Sequence, residues 1–309
     1  MVRVLASEVG LNSISAVDAA DNELVASNFV SDGFVLIRDL VDLELVSRCN
    51  KMLVAAFNDL KLRAENNQIE LDVHGFAITI MDQFSKTLDY EALVGSPKLL
   101  NLLQVILGPD IGILGFDALW INAPREANPV LLKNQHVDAW TGTSINTLFV
   151  KFFFTDVDEY NSVSVSPGSH LQGLIPVRNR AIDPSFGAEF DEVNLDIVRQ
   201  GDVLIWHPLL VHSTTGNSKD KIRVSMTSRY KSTETIFSSQ ERALGCRTLR
   251  VGPMLEILRL IGNDYLLPGR TLGGSVQIDR RMSYIYGKKN KEENTDYSVF
   301  TKKFFRENF

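Results

Sequence analysis

The sequence predicts a mainly β protein, an all-β sandwich or barrel with helices flanking it. Three observations carry that expectation. From about residue 111 onward, short apolar runs follow one another with turn signals between them, and no helix alternates with them. One of these runs, "INTLFVKFFFTDV", is apolar on both alternating sets of side chains, which suits a strand buried on both faces. The part before 111 instead spaces its apolar residues as helices do.

In chain order, "SDGFVLIRDL" (31–40) is a Gly turn followed by a short apolar run, a strand inside an otherwise helical region. Residues 42–65 place Leu43, Val46, Met52, Leu53 and Phe57 at roughly helical spacing. Residues 97–108 form a second helix, with Pro97 near its start and Gly108 as its stop signal. Strands follow in "IGILGFDALWIN", in "INTLFVKFFFTDV" and in "NSVSVSPGSH" (161–170), which alternates and then ends in a Pro-Gly turn. "GDVLIWHPLLVHS" (201–213) and "KIRVSMTSRY" (221–230) are two further strands joined by the turn-like "TTGNSKD". After 231 the pattern is mixed, with "PMLEILRLIG" (253–262) reading as a helix. No linker-like stretch divides the chain, so residues 1–309 are expected to form a single domain.

Composition narrows the function classes. The 309 residues are 44% hydrophobic and 23% charged, ordinary for a soluble globular protein. The net charge is -6, and the one basic run, "GKKNKEEN", is diluted by acids, so no nucleic-acid footprint is expected. Cys49 and Cys246 are the only cysteines, which leaves no disulfide framework and no Cys-based zinc site. Neither a signal peptide nor an apolar run of membrane-spanning length is evident, so the expected setting is cytoplasmic, away from membranes. A homo-oligomer remains compatible with all of this.

The chemistry centres on "NQHVDAWT". On a strand, His136, Asp138 and Trp140 project to one face. A His and a carboxylate on one face can chelate a divalent metal, but the pair alone reads equally well as a surface His beside an acid. A third ligand must come from elsewhere, and His207 and His212 both lie in the 201–213 segment. Two His and one carboxylate with open positions form the facial triad of non-haem Fe(II) oxygenases. The open positions take a bidentate oxo-acid co-substrate and dioxygen. The co-substrate's distal carboxylate needs a cation, for which a bidentate Arg is the best match. The 221–230 strand offers one. Arg223, Ser225, Thr227 and Arg229 share a face opposite Ile222, Val224 and Met226, a polar pattern that suits a pocket wall. A turn between antiparallel strands would bring Arg223 back near His212, with Thr214 or Ser225 adding a hydroxyl.

The segments "SDGFVLIRDLVD", "LVGSPKLLNLLQVILGPDIGIL", "QHVDAW", "VSPGSH" and "GDVLIWHPLLVHSTTGN…IRVSMTSRY", in that order, resemble the phytanoyl-CoA dioxygenase family of Fe(II)- and 2-oxoglutarate-dependent oxygenases. The resemblance covers roughly residues 29–230. It implies a double-stranded β-helix, a cupin-like jelly roll, over 111–230, preceded by a mainly helical part (1–110) and followed by a C-terminal extension (231–309). It implies His136, Asp138 and His212 as ligands of Fe(2+), and Arg223 with Thr214 as the 2-oxoglutarate site, to which the strand pattern adds Ser225. His207 falls where the family often has an aromatic or apolar residue and ranks below His212. His170, in the "PGSH" turn, reads as structural. Two departures are local: Asn161-Ser162 where Asn-Gly is common, and Gln135 where Trp is common. Asp138 is retained, whereas halogenating relatives replace this carboxylate.

The implied reaction consumes O2 and 2-oxoglutarate and oxidises an unactivated C–H bond, by hydroxylation or by desaturation, cyclisation or epimerisation. The expected partner is a small polar metabolite or biosynthetic intermediate, with Trp140, Arg229, His74 and Arg178 as candidate substrate contacts. An acyl-CoA would favour a more basic groove for its phosphates and is the alternative substrate. The rival functions are a non-catalytic jelly-roll protein and a metal enzyme that needs no 2-oxoglutarate. A decayed member should have lost one of His136, Asp138, His212 or Arg223, and all four are present.

Overall fold

The computed structural model describes residues 21–66, 73–122, 134–158, 162–179, 181–187, 189–195, 197–214, 217 and 222–253. The helix expected at 253–262 lies outside these residues, except for its first position.

The chain enters through helix α1 (Asn22–Asp32), which ends at Gly33 and turns into strand β1 (Phe34–Ile37). Asp42 then caps α2 (Leu43–Glu65) by accepting hydrogen bonds from the backbone N–H groups of Glu44 and Leu45. Helices α3 (Val73–Phe84), α4 (Leu88–Val94) and α5 (Pro97–Leu107) follow, the last with Pro97 in its first turn and Gly108 past its end, as expected. Next come β2 (Ile111–Leu114), β3 (Ala118–Asn122), β4 (Thr147–Phe153) and β5 (Val163–Val165). A short ribbon of β6 (Val177–Arg178) and β7 (Ala181–Ile182) precedes β8 (Val193–Asn194). The final elements are β9 (Val203–Trp206), β10 (His212–Thr214), β11 (Arg223–Ser232), α6 (Ser239–Leu244) and β12 (Cys246–Arg250).

Two antiparallel sheets face each other. The large one runs β1-β9-β4-β11-β2-β12, with β3 also paired to β11; the small one runs β10-β5-β8. This is the jelly-roll arrangement expected from the sequence. The large sheet also draws in β1 and β12, from either side of the 111–230 stretch.

Alternation along the strands divides the large sheet into two chemistries. Its outer face, including Val35, Ile37, Val150, Phe152, Ile205, Val224 and Met226, packs with the helices in the largest core. Its inner apolar residues, Phe34, Leu36, Phe149, Phe153, Leu204 and Trp206, pack with Val163 and Val165 of the small sheet. Other inner positions, including Lys151, Arg223, Ser225, Thr227, Arg229 and Lys231, are polar. β4 therefore is buried on both faces, as "INTLFVKFFFTDV" predicts.

Two sequence expectations are corrected here. The 201–213 run is not one strand. It breaks after Trp206 into β9 in the large sheet and β10 in the small one, with residues 207–211 crossing between the sheets. Pro208 lacks an N–H and cannot continue a ladder. For the same reason β10 and β11 are not a paired hairpin: β10 pairs with β5, while β11 pairs with β4, β2 and β3. The crossing segment is held at several points. His207 N–H donates to the Gly33 carbonyl at 2.9 Å, and Val211 N–H donates to Ser169 Oγ at 2.8 Å. The "PGSH" turn is tied to α1 as well, through Gly168 N–H and the Asp32 carbonyl at 2.9 Å.

Gly33 carries much of this junction. Its φ is +81°, and a Cβ there would sit 2.4 Å from His170 Nδ1. Gly33→Ala is expected to destabilise the fold by about 1–3 kcal/mol through backbone strain and the displaced imidazole. Equilibrium denaturation checks this, and an unchanged midpoint would contradict the role assigned to the turn.

Candidate metal centre

His136 and His212 form an isolated antiparallel bridge outside the main ladders. Each backbone N–H donates to the other's carbonyl at 3.0 Å, so the two Cα atoms are held at fixed separation. The rings then stand with centroids 4.2 Å apart. Each imidazole is fixed a second time. His136 Nδ1 bonds the Asn134 carbonyl at 2.9 Å, and His212 Nδ1 bonds the Leu210 carbonyl at 3.0 Å. A carbonyl only accepts, so both Nδ1 atoms carry the proton and both Nε2 atoms present a lone pair.

Asp138 completes the cluster. The chain leaves the extended conformation at this residue and enters a short 3-10 turn, Asp138–Thr141, ended by Gly142 at φ +81°. Ala139 N–H anchors the turn to the Pro208 carbonyl at 2.9 Å. Asp138 Oδ1 lies 4.0 Å from His136 Nε2, and Oδ2 lies 3.6 Å from His212 Nε2. These gaps are too long for hydrogen bonds. One donor atom from each residue falls within 4.8 Å of the other two. His136 Nε2 is buried and makes no hydrogen bond to any described residue. Burial and the neighbouring His212 ring push the His136 imidazole down to about 4, against the pull of Asp138, so it stays neutral at physiological pH. A neutral imidazole with an unused lone pair, a second imidazole and a carboxylate make a donor set suited to a divalent transition metal.

The carboxylate has an anchor of its own. Trp206 Nε1 donates to Asp138 Oδ2 at 2.9 Å, and the indole is held by stacking on Phe149 at 5.4 Å. Trp206 was not singled out from the sequence. Its signal is its place one residue before the strand break, on the face shared with Leu204.

The other expected residues are placed as follows. Arg223 is buried on the inner face of β11, with Nη2 donating to Asn122 Oδ1 at 2.9 Å and Nη1 to the Ser162 carbonyl at 3.3 Å. Ser162 precedes β5, whose Val163 pairs with Thr214, so the guanidinium reaches across to the small sheet beside Thr214. This replaces the hairpin expected to bring Arg223 and His212 together. Ser225 is buried on the same face as Arg223, and its hydroxyl bonds no described residue. Arg229 lies further along that face, its guanidinium 5.0 Å from the Phe116 ring and 5.2 Å from the Phe149 ring. Burial holds its pKa below the usual value.

Trp140 does not share a strand face with His136 and Asp138, because the 3-10 turn rotates it away from strand periodicity. Arg178 sits on the β6–β7 ribbon, largely exposed and paired with Asp183 at 3.0 Å. The His74 side chain lies outside the described residues. His207 and His170 form a separate cluster against Gly33, with ring centroids 5.7 Å apart, and His170 Nε2 contacts the Val30 carbonyl. Sequence reasoning also passed over Asn122 and Lys151, which join Arg223 on the inner face.

The phytanoyl-CoA dioxygenase family model matches residues 29–225. The chain belongs to that family. Solved structures agree on the fold. A non-heme monooxygenase, ThoJ in its apo form, superposes with a TM-score of 0.58 at 17% identity, covering 84% of this chain and 94% of that one. The epimerase SnoN, in complex with Fe3+, alpha ketoglutarate and nogalamycin RO, gives 0.54 at 19% identity over 82% and 96%. EctD from S. alaskensis, with 2-oxoglutarate and 5-hydroxyectoine, gives 0.53 at 15% identity over 76% and 84%. No curated protein matches the sequence. Among the described residues of this phytanoyl-CoA dioxygenase family member, no helix is long and apolar enough to cross a membrane.

Trp206→Phe keeps the stacked ring and removes the N–H that anchors Asp138. Affinity for a divalent metal, measured by competition with a chelator, is expected to fall about 10- to 100-fold. Unchanged affinity would mean that Asp138 needs no such anchor.

Proposed function

We propose that this chain is an Fe(II)- and 2-oxoglutarate-dependent dioxygenase that oxidises an unactivated C–H bond of a small polar metabolite or biosynthetic intermediate. The observation that carries this reading is the convergence of His136 Nε2, His212 Nε2 and the Asp138 carboxylate at one point, with Arg223 buried on the inner face of the large sheet. Membership of the phytanoyl-CoA dioxygenase family supports it.

In this reading His136, Asp138 and His212 hold the iron. Their orientation is set in advance by the backbone bridge, the two Nδ1 contacts and the Trp206 indole, so little reorganisation accompanies binding. Three protein ligands leave open positions for a bidentate 2-oxo acid and for dioxygen. With those bound, the centre supplies the oxidation: O2 and 2-oxoglutarate become succinate and carbon dioxide, and the substrate gains one oxygen or loses hydrogen.

Arg223 answers a separate need. 2-Oxoglutarate carries a second carboxylate, and burying it without a cation is costly. The guanidinium is buried on the inner face and already oriented by Asn122 and Ser162, which supports its assignment to that carboxylate. Ser225 and Thr214 supply hydroxyls beside it. The apolar inner residues Phe149, Phe153, Leu204 and Leu210 exclude water, which strengthens every polar contact made there. Substrate contacts are assigned to Arg229, which shares the inner face, and to Trp140, in the turn that follows Asp138. Hydroxylation, desaturation and ring closure share these requirements, so the outcome rests on how the substrate is held.

The test is direct. Mixed anaerobically with Fe(II) and 2-oxoglutarate, the protein is expected to develop a weak visible charge-transfer band and to form succinate once oxygen is admitted. Absence of both would refute the reading. Arg223→Ala is expected to weaken 2-oxoglutarate binding about 100-fold while leaving metal affinity largely intact. Equal loss of both would point to a general collapse of the site instead.

A further inference from the structure

The large sheet buries two lysines on its inner face, and it treats them differently. Lys231 is fully buried and compensated: its ammonium lies 3.3 Å from Glu241 Oε2 and donates to Ser144 Oγ at 2.6 Å. Lys151, at the middle of β4, is also buried, yet no carboxylate among the described residues comes within ion-pair distance of it. Its one hydrogen bond is a long contact of 3.5 Å to Thr227 Oγ1, and its ammonium stands 5.4 Å from the Trp120 ring centroid. Burying an ammonium without an acid is expensive. Burial, reinforced by Arg223, pushes Lys151 down to about 7. A Met or Leu at this position would fill the same space without that cost, so packing does not explain the lysine.

Its surroundings point to what does. Two charged groups act on Lys151 from different elements: the like charge of Arg223 on β11 and the opposite charge of Asp138 in the turn. Its neighbours across the sheet are Leu204 on β9 and Thr227 on β11, and Trp120 lies over it from β3; none of these is charged. The next cation along β11, Arg229, is engaged with Phe116 and Phe149. Strand register places Lys151 between Arg223 and Asp138: it pairs with Thr227 on the face of β11 that carries Arg223, and with Leu204, two residues before the Trp206 that holds Asp138. In the reading above, the metal that Asp138 helps to hold and the Arg223 guanidinium would receive the two ends of 2-oxoglutarate. The Arg223 guanidinium is oriented by two acceptors, Asn122 Oδ1 and the Ser162 carbonyl.

We propose that Lys151 is a second co-substrate cation, its ammonium joining Arg223 on the distal carboxylate of 2-oxoglutarate so that neighbouring strands clamp that group from two sides. The assignment rests on the 2-oxoglutarate reading and adds a residue and a consequence to it. A dianion arriving beside Lys151 favours the protonated amine. Binding above neutral pH therefore takes up protons, and affinity for 2-oxoglutarate declines as pH rises past 7. Thr227 serves as a positioning residue: its hydroxyl oxygen accepts from Trp120 Nε1 at 3.1 Å and holds the ammonium loosely enough to be drawn to an anion.

The experiment compares two 2-oxo acids on the full chain loaded with Mn(II), a redox-inert stand-in for Fe(II), by titration calorimetry. 2-Oxoglutarate has the distal carboxylate, and 2-oxopentanoate replaces it with a methyl group. In Lys151→Met, 2-oxoglutarate affinity is expected to fall about 10- to 100-fold, with 2-oxopentanoate and Mn(II) affinities unchanged. The melting temperature should not drop, since an unpaired buried cation has been removed. At pH 8 the wild-type heat should vary with the ionisation enthalpy of the buffer, reporting proton uptake, and the variant's should not. Lys151→Gln repeats the comparison should the Met variant fold poorly. Unchanged 2-oxoglutarate affinity in a variant, with wild-type binding intact, would overturn this assignment alone. Equal weakening of both 2-oxo acids would overturn it too, because the effect would not be on the distal carboxylate. Wild-type protein that binds neither would refute the oxygenase reading itself.

Discussion

Everything at the metal centre depends on a backbone interaction, the reciprocal pair of hydrogen bonds between His136 and His212. Two residues far apart in sequence are locked face to face by main-chain geometry, before any side-chain choice is made. The side chains then have little freedom left, because each ring is pinned through Nδ1 to a carbonyl two residues before it. This repeats one local device at both sites: an imidazole bonded to its own upstream carbonyl. Asp138 needs a different device, since its chain has begun to turn, and Trp206 provides it from the large sheet. Three elements from both sheets therefore meet at one point, and the crossing segment 207–211 is what allows them to.

The fold supplies the environment as well as the positions. Helices cover the outer face of the large sheet, so that face is a conventional apolar core. The inner face is released from that duty and mixes aromatic and aliphatic residues with Arg223, Lys151 and Arg229. Buried cations are tolerated only where something compensates them. Lys231 is paired with Glu241, which also anchors Ser144 and Thr147 and closes a capping box with Ser238. Lys151, nearer the centre, has no carboxylate at ion-pair distance among the described residues, a setting suited to an anionic co-substrate. In the apolar surroundings of this wall each such charge counts for more than it would in water.

Much of this was legible in the sequence, for stated reasons. The helix over 42–65 and that over 97–108 follow from apolar spacing with Asp42, Pro97 and Gly108 as punctuation. The strand at 34–37 survives inside a helical region because Gly33 turns the chain into it. His136, Asp138, His212 and Arg223 stand out in the sequence because scarce residue types recur at spacings that chemistry needs, and the structure brings the first three together. What could not be read was partnership. A sequence run marks a strand but not the sheet it joins, so the division of 201–213 between two sheets was missed, and with it the placement of Arg223 relative to His212. Trp140 was misdirected because strand alternation was extended past Asp138 into a 3-10 turn. Lys151 sat unnoticed in an apolar run, where a single lysine reads as an interruption. Only its burial beside Arg223 and Asp138 makes it informative.

The central claim is that two imidazole Nε2 atoms and one carboxylate are aimed at a common point by contacts that exist before a metal arrives. Anomalous diffraction from crystals grown with Mn(II) or Fe(II) tests it most directly. The account predicts one strong peak bonded to His136 Nε2, His212 Nε2 and an oxygen of Asp138, with both Nδ1 contacts and the Trp206 hydrogen bond retained. A peak that lacks any of the three, or that is bonded through Nδ1, would contradict it.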